Sequence, residues 1–201
     1  MTSSPWINKT KNLPTPCYLI HQGELEHNLG ILNHIKTETS CKILLALKGY
    51  STFSTFPIIN KIIDGVSASS IYEARLGYEE FNKEIHGYTI ALDPVDNQLL
   101  TKLCSHICVN SLNQLSQIQS LTNKPSIGIR INPMVSTVKT PIYDPCSKYS
   151  RLGIPIHEIS SNTLKSVHGI HFHALCEQNT DALELVLTKI EETLGKDLHH
   201  L

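Results

Sequence analysis

Strand-like apolar runs recur at a fixed pitch along this chain, beginning at Ile43, Asp64, Ile85, His106 and Ile127, each 21 positions after the last. Helical patterns with recognisable starts fill the gaps. Ser70-Ile71-Tyr72-Glu73 and Ser111-Leu112-Asn113-Gln114 fit a capping box, and Asp93-Pro94 offers an N-cap followed by proline at the first helical position. Strands and helices alternating at this spacing predict βα units on a parallel sheet. The strands are expected at Ile43–Leu47, Asp64–Ala68, Ile85–Ala91, His106–Asn110 and Ile127–Ile131, with a sixth at Val167–His173 after a long irregular stretch.

Both a closed barrel and an open doubly wound sheet satisfy that rhythm. No Gly-x-Gly-x-x-Gly follows the first strand, which removes support for the dinucleotide-binding version. The expected class is therefore α/β, an incomplete (β/α)8 barrel of the TIM type with about six strands. A full barrel takes about 250 residues, and this chain has 201. A helix over Asp181–Leu194 stops at Gly195, and Leu198–Leu201 reads as the opening of another strand. Pro14–Ile20 is a short strand outside the repeat. Residues 1–20 are accordingly assigned to a different sheet, and residues 21–201 to the partial barrel.

Charge narrows the function classes. A formal net charge of -1 leaves no electrostatic footprint for nucleic acid or an anionic membrane. Met1–Trp6 carries no apolar leader and no stretch approaches a membrane span, so the expected location is the cytoplasm. The six cysteines are scattered, and Cys104 and Cys108 lack a second pair for zinc; free thiols and no metal are expected.

Barrel enzymes build their sites at the carboxyl ends of strands, and three places put polar groups there. Lys48 ends the run Ile43-Leu44-Leu45-Ala46-Leu47. Buried, its ammonium would be desolvated, and a neutral amine can form a Schiff base with a carbonyl. The plainer alternative is a lysine marking where the strand meets solvent. Arg130 lies within Ile127-Gly128-Ile129-Arg130-Ile131-Asn132-Pro133, where it requires an anion or an ion pair with a neighbouring carboxylate. His171 and His173 share one face of the sixth strand, a pattern that also suits metal ligation as in amidohydrolases. In that family the His-x-His strand precedes the lysine; here it follows. Glu73 is explained by capping, and Ser67, Ser69 and Ser70 cluster after the second strand.

Several segments taken in order resemble one family. They are Thr15–Ile20, Leu44–Lys48, Ser67–Gly77, Arg130-Ile131-Asn132-Pro133, Ser150-Arg151-Leu152-Gly153 and His171-Phe172-His173-Ala174-Leu175-Cys176-Glu177. The chain resembles the carboxynorspermidine (carboxyspermidine) decarboxylases, in the alanine-racemase-like, fold-type III group of pyridoxal-phosphate enzymes. The resemblance implies that Lys48 carries pyridoxal 5'-phosphate as a Schiff base. It implies His173 on the face of the cofactor ring, Arg130 near its phenolic side, and Ser67 where cousins often carry an acidic residue. Cys176 and Glu177 would lie toward phosphate and substrate, and Arg151 in a loop approaching the interface of a homodimer. The implied reaction releases carbon dioxide from a carboxylated polyamine to give norspermidine or spermidine. The family's glycine-rich phosphate loop and C-terminal β-domain are not found in these residues. Weak cofactor retention and little activity are expected of this length alone. Other fold-type III decarboxylases, racemases or pyridoxal-phosphate carriers, and an inactive remnant, are the alternatives.

Overall fold

The computed structural model describes residues 10–201 apart from 92 and 123, so the reading of Met1–Trp6 lies outside the described residues. The chain divides into two compact units, Met1–Cys41 and Lys42–Leu201. The first contains helix α1 (Gln22–Thr39), whose N-terminus is capped by His21 Nδ1 accepting from the Glu24 amide at 3.1 Å. Its last turn closes on Ser40, at φ 56°, whose N–H donates to the Lys36 carbonyl. The strand expected at Pro14–Ile20 is not formed. A strand exists only through a partner backbone, and no ladder reaches these residues, which are all exposed.

The second unit is a parallel sheet with helices between successive strands, except between the fifth and sixth, where only a 3-10 turn (Pro141–Tyr143) lies. Its strands are β1 (Leu44–Ala46), β2 (Gly65–Ala68), β3 (Glu84–Tyr88), β4 (His106–Val109), β5 (Ser126–Asn132), β6 (Ile154–Pro155) and β7 (Gly169–His171). They pair in the order β1-β2-β3-β4-β5, and β7 then pairs with the body of β5. Strand β6 pairs only with the end of β5, at Ile131↔Ile154 and Asn132↔Pro155. The helices are α2 (Phe56–Ile59), α3 (Ile71–Leu76), α4 (Pro94–Leu103), α5 (Leu112–Gln119), α6 (Ser161–Lys165) and α7 (Thr180–Leu194).

Side-chain parity explains this sheet better than continuous apolarity does. Every pairing keeps the alternation in step, as in Val66↔Ile85, Ile107↔Ile127 and Ile129↔Ile170 on one face. Val66, Ile85, Ile107, Val109, Ile127, Ile129 and Ile131 are buried. Helix residues Ala74, Leu100, Leu115, Ile118, Leu164 and Val186 complete that apolar layer. The close approach is visible at Gly87, where a Cβ would lie 2.9 Å from Cys104 Sγ. Phe56 and Phe81, both fully buried, meet edge-to-face with centroids 5.2 Å apart. The other face carries Ser67, His86, Tyr88, His106, Cys108, Arg130 and His171. A period of two thus sorts the strands into an apolar face toward the helices and a polar face toward the barrel interior.

The predicted caps form. Ser70 Oγ accepts from the Glu73 amide at 3.2 Å, and Asp93 Oδ1 accepts from the Val95 amide at 2.8 Å. Glu73 reaches back to the Ser69 amide, one residue beyond the N-cap. Two departures concern the second half. The stretch between β5 and β7 is not wholly irregular, because Ser160 Oγ accepts from the Thr163 amide at 3.1 Å and starts α6. Ser161-Asn162-Thr163 are poor helix formers, which hid this helix in the sequence. Leu198–Leu201 is not a strand; Leu198–His200 is a 3-10 turn, closed by the Leu201 amide on the Leu198 carbonyl. Local bonds satisfy this backbone, and the Asp197 carboxylate just before it accepts from the Ser161 hydroxyl at 2.7 Å. Gly195 does follow the helix, but in right-handed conformation at φ -52°. Among the described residues no helix is long and apolar enough to cross a membrane.

Candidate active site

The polar inner face opens into a cleft of about 1150 Å3. Lys48, Ser67, Arg130 and His173 all line it. Cys176, Arg151 and Glu177 do not line it, and all three are exposed. Lys48 lies in the turn that follows β1 and is exposed. Burial of this residue, expected from the apolar run before it, is therefore not observed. The strand delivers its side chain to solvent at the rim of the cleft, because β1 ends at Ala46 and the next residues turn.

Arg130 is buried, at 5% exposure. Its Nη1 donates to the Tyr88 hydroxyl at 2.6 Å, and its guanidinium carbon sits 5.0 Å from the centre of the same ring. Among the described residues no carboxylate pairs with it, so the ion-pair alternative fails. Its Nε has no hydrogen-bond partner. A buried cation with an unused donor is costly unless an anion completes it.

Tyr88 is the hinge of a network that the sequence reading did not single out. Burial pushes its phenol above the usual tyrosine range, although the Arg130 bond opposes this. The neutral hydroxyl can accept from Arg130 and donate to Asn110 Oδ1 at 2.8 Å. Asn110 is placed by α5: its amide donates to Gln114 Oε1 at 2.6 Å, while the Gln114 amide caps onto Ser111. The same Asn110 Oδ1 accepts from the Gly153 amide at 2.7 Å, and Asn110 Nδ2 donates to the Arg151 carbonyl at 2.9 Å. Gly153 stands at φ +87°, and a Cβ there would fall 2.8 Å from the Ile131 carbonyl carbon. Glycine is required by both conformation and space. The Ser150–Gly153 loop is thereby fastened over the end of β5. A tyrosine and an asparagine at two adjacent strand ends were the available signal.

His171 pairs in register with Arg130 and meets Tyr88 edge-on at 5.6 Å. Burial, helped by the nearby Arg130, His173 and Lys48 charges, lowers its pKa to about 4. Its Nδ1 is buried without a partner. His173, more exposed, is lowered for similar reasons, desolvation first and then Arg130 and Lys48. Two glycines, Gly128 and Gly169, face each other one step below the Arg130–His171 pair. They leave that part of the wall without side chains, and nothing lies within 4 Å of where a Gly169 Cβ would project.

These residues fit pyridoxal phosphate. Its phosphate and phenolic oxygen carry negative charge suited to Arg130, and its aldehyde requires an accessible primary amine such as Lys48. The orphaned polar atoms on Arg130 and His171 lie on the same face as that amine.

No family model matches the sequence. A carboxynorspermidine/carboxyspermidine decarboxylase of Campylobacter jejuni is 37% identical over 186 residues, 92% of this chain and 49% of that protein. A carboxyaminopropylagmatine decarboxylase of Synechocystis is 37% identical over 192 residues, 94% of this chain and 50% of that protein. Among solved structures, C. jejuni carboxynorspermidine decarboxylase complexed with norspermidine superposes with a TM-score of 0.80 at 35% identity, covering 92% of this chain and 47% of that one. Diaminopimelate decarboxylase from Helicobacter pylori, at 21% identity and a TM-score of 0.74, shares the fold. The chain spans about half the length of the curated relatives it matches. By sequence and by fold this chain is similar, over about half of their length, to proteins named carboxynorspermidine/carboxyspermidine decarboxylase.

Proposed function

We propose that this chain carries the pyridoxal-phosphate-binding barrel portion of a decarboxylase acting on carboxylated polyamines, with norspermidine or spermidine as product. The observation that carries the reading is Arg130, a buried cation without a carboxylate partner among the described residues, on the same cleft as the Lys48 amine at the end of β1. The relatives are named as decarboxylases of carboxynorspermidine, carboxyspermidine and carboxyaminopropylagmatine, each by its name a carboxylated amine.

In this reading Lys48 would hold the cofactor through its amine, Arg130 would offer its cationic donors to the phenolic side, His173 would lie against the ring and Ser67 would add its hydroxyl. The cofactor supplies an electron sink for the bond to the departing carboxylate. Tyr88 and Asn110 act on Arg130 by fixing its guanidinium. On the resemblance alone, Cys176 would join the cofactor-binding residues, and Glu177 and Arg151 would lie toward substrate or a homodimer interface. Residues 1–20 would join the sheet of a second domain, and the enzyme would work in the cytoplasm in polyamine biosynthesis.

The test is to incubate the chain with pyridoxal phosphate, reduce with borohydride and map the labelled peptide. A single adduct on Lys48, lost in Lys48→Arg and suppressed by carboxynorspermidine but not by diaminopimelate, is expected. Labelling spread over other lysines, with Lys48 unmodified, overturns the site; equal suppression by diaminopimelate overturns the substrate class.

A further inference from the structure

At the opposite end of the inner face, three potential ligands converge. Glu84 opens β3, His86 follows two residues later on the same face, and His106 opens β4 as the register partner of His86. One ligand atom from each lies within 4.8 Å of the others. His86 Nε2 is 3.4 Å and His106 Nε2 3.9 Å from the same carboxylate oxygen, Glu84 Oε2. The two imidazoles stack with centroids 4.1 Å apart and planes 23° apart.

We propose that Glu84, His86 and His106 bind a divalent transition metal ion of the zinc class. Ligands about 2.0–2.1 Å from a tetrahedral ion lie about 3.4 Å from one another. One of the two nitrogen–oxygen separations already has that value, and the other exceeds it by half an ångström. Two imidazoles and one carboxylate are the donor set of zinc, cobalt and nickel rather than of magnesium or calcium.

The supporting structure favours ligation over a simple ion pair. The Lys42 ammonium binds the other oxygen, Oε1, at 2.5 Å, which fixes the carboxylate while leaving Oε2 toward the histidines. Ligating carboxylates are commonly held in this way by an outer partner. Adjacent hydrogen-bonded strands fix the two histidine backbones. Side-chain exposures of 34%, 32% and 38% for Glu84, His86 and His106 leave a coordination position accessible to water. Lying at the amino ends of β3 and β4, the ion would clip these strands together, away from Lys48 at the carboxyl end of β1.

The test uses the untagged chain, stripped with chelator and titrated with zinc by calorimetry and with cobalt by visible absorption. Saturable one-to-one binding and an intense tetrahedral cobalt band are expected. Glu84→Gln, His86→Gln and His106→Gln should each weaken binding by about tenfold or more, whereas His157→Gln, at an exposed turn, should not. Zinc should also protect His86 and His106 of the unmodified chain from diethylpyrocarbonate, which keeps the test independent of how the variants fold. Absence of saturable binding, or protection confined to other histidines, overturns the proposal.

Discussion

The Tyr88 hydroxyl lies 2.6 Å from Nη1 of Arg130, and the guanidinium sits over the ring that bears it. One tyrosine therefore supplies both the hydrogen bond and the π-face that hold a buried charge. Its own proton goes to Asn110, which in turn anchors the Ser150–Gly153 loop.

Tyr88→Phe keeps the ring against Arg130 and His171 but removes the hydroxyl. One donor of a buried cation and one acceptor lone pair of Asn110 lose their partner. Stability should fall by about 1–3 kcal/mol, read from urea unfolding, with pyridoxal phosphate binding weakened in spectrophotometric titration. An unchanged midpoint would show that Arg130 is held by other means.

Gly153→Ala tests the loop. The new methyl meets the β5 backbone at a φ that side chains rarely adopt, so a loss of about 1–3 kcal/mol is expected. Thermal unfolding measures it, and proteolysis within residues 133–153 should quicken.

Stability should depend on pH through His171. Its pKa in the fold, about 4, lies below the unfolded value near 6.5. Between these limits the unfolded chain binds more protons, so stability falls as pH drops from about 6.5 and levels off near 4. The loss from this residue is at most about 3 kcal/mol. His173 and His86, lowered in the same direction, add to it. Urea midpoints across this range should be flatter in His171→Asn than in the parent chain.

Gly169→Ala separates fold from site. Its methyl meets no atom within 4 Å, and replacing a strand glycine where the backbone allows it stabilises by about 0.4–1 kcal/mol. The same methyl projects into the cleft. A raised Tm combined with weaker pyridoxal phosphate binding is expected; unchanged binding would place the ligand elsewhere.

The sheet was legible because strand starts and caps are local signals. The 21-residue pitch located five strands to within a few residues, and Ser70, Asp93 and Ser111 cap as their neighbours predict. Lys48, Ser67, Arg130 and His173, expected from strand ends and resemblance, all line the cleft. What escaped was long-range. Nothing near Tyr88 or Asn110 announces that they share a proton, because their link exists only once β3 and β4 are aligned. The burial of Lys48 was misjudged for a related reason: an apolar run does not reveal where its strand ends.

The two-faced sheet has one more consequence, for how reliably the chain finds its structure. Slipping any strand by a single residue would turn its polar side chains toward the helices. For β5 that means pressing the Arg130 guanidinium into isoleucines. The side chains that furnish the cleft therefore also penalise every misaligned pairing, and the binding surface works as a proofreader of the ladder that displays it.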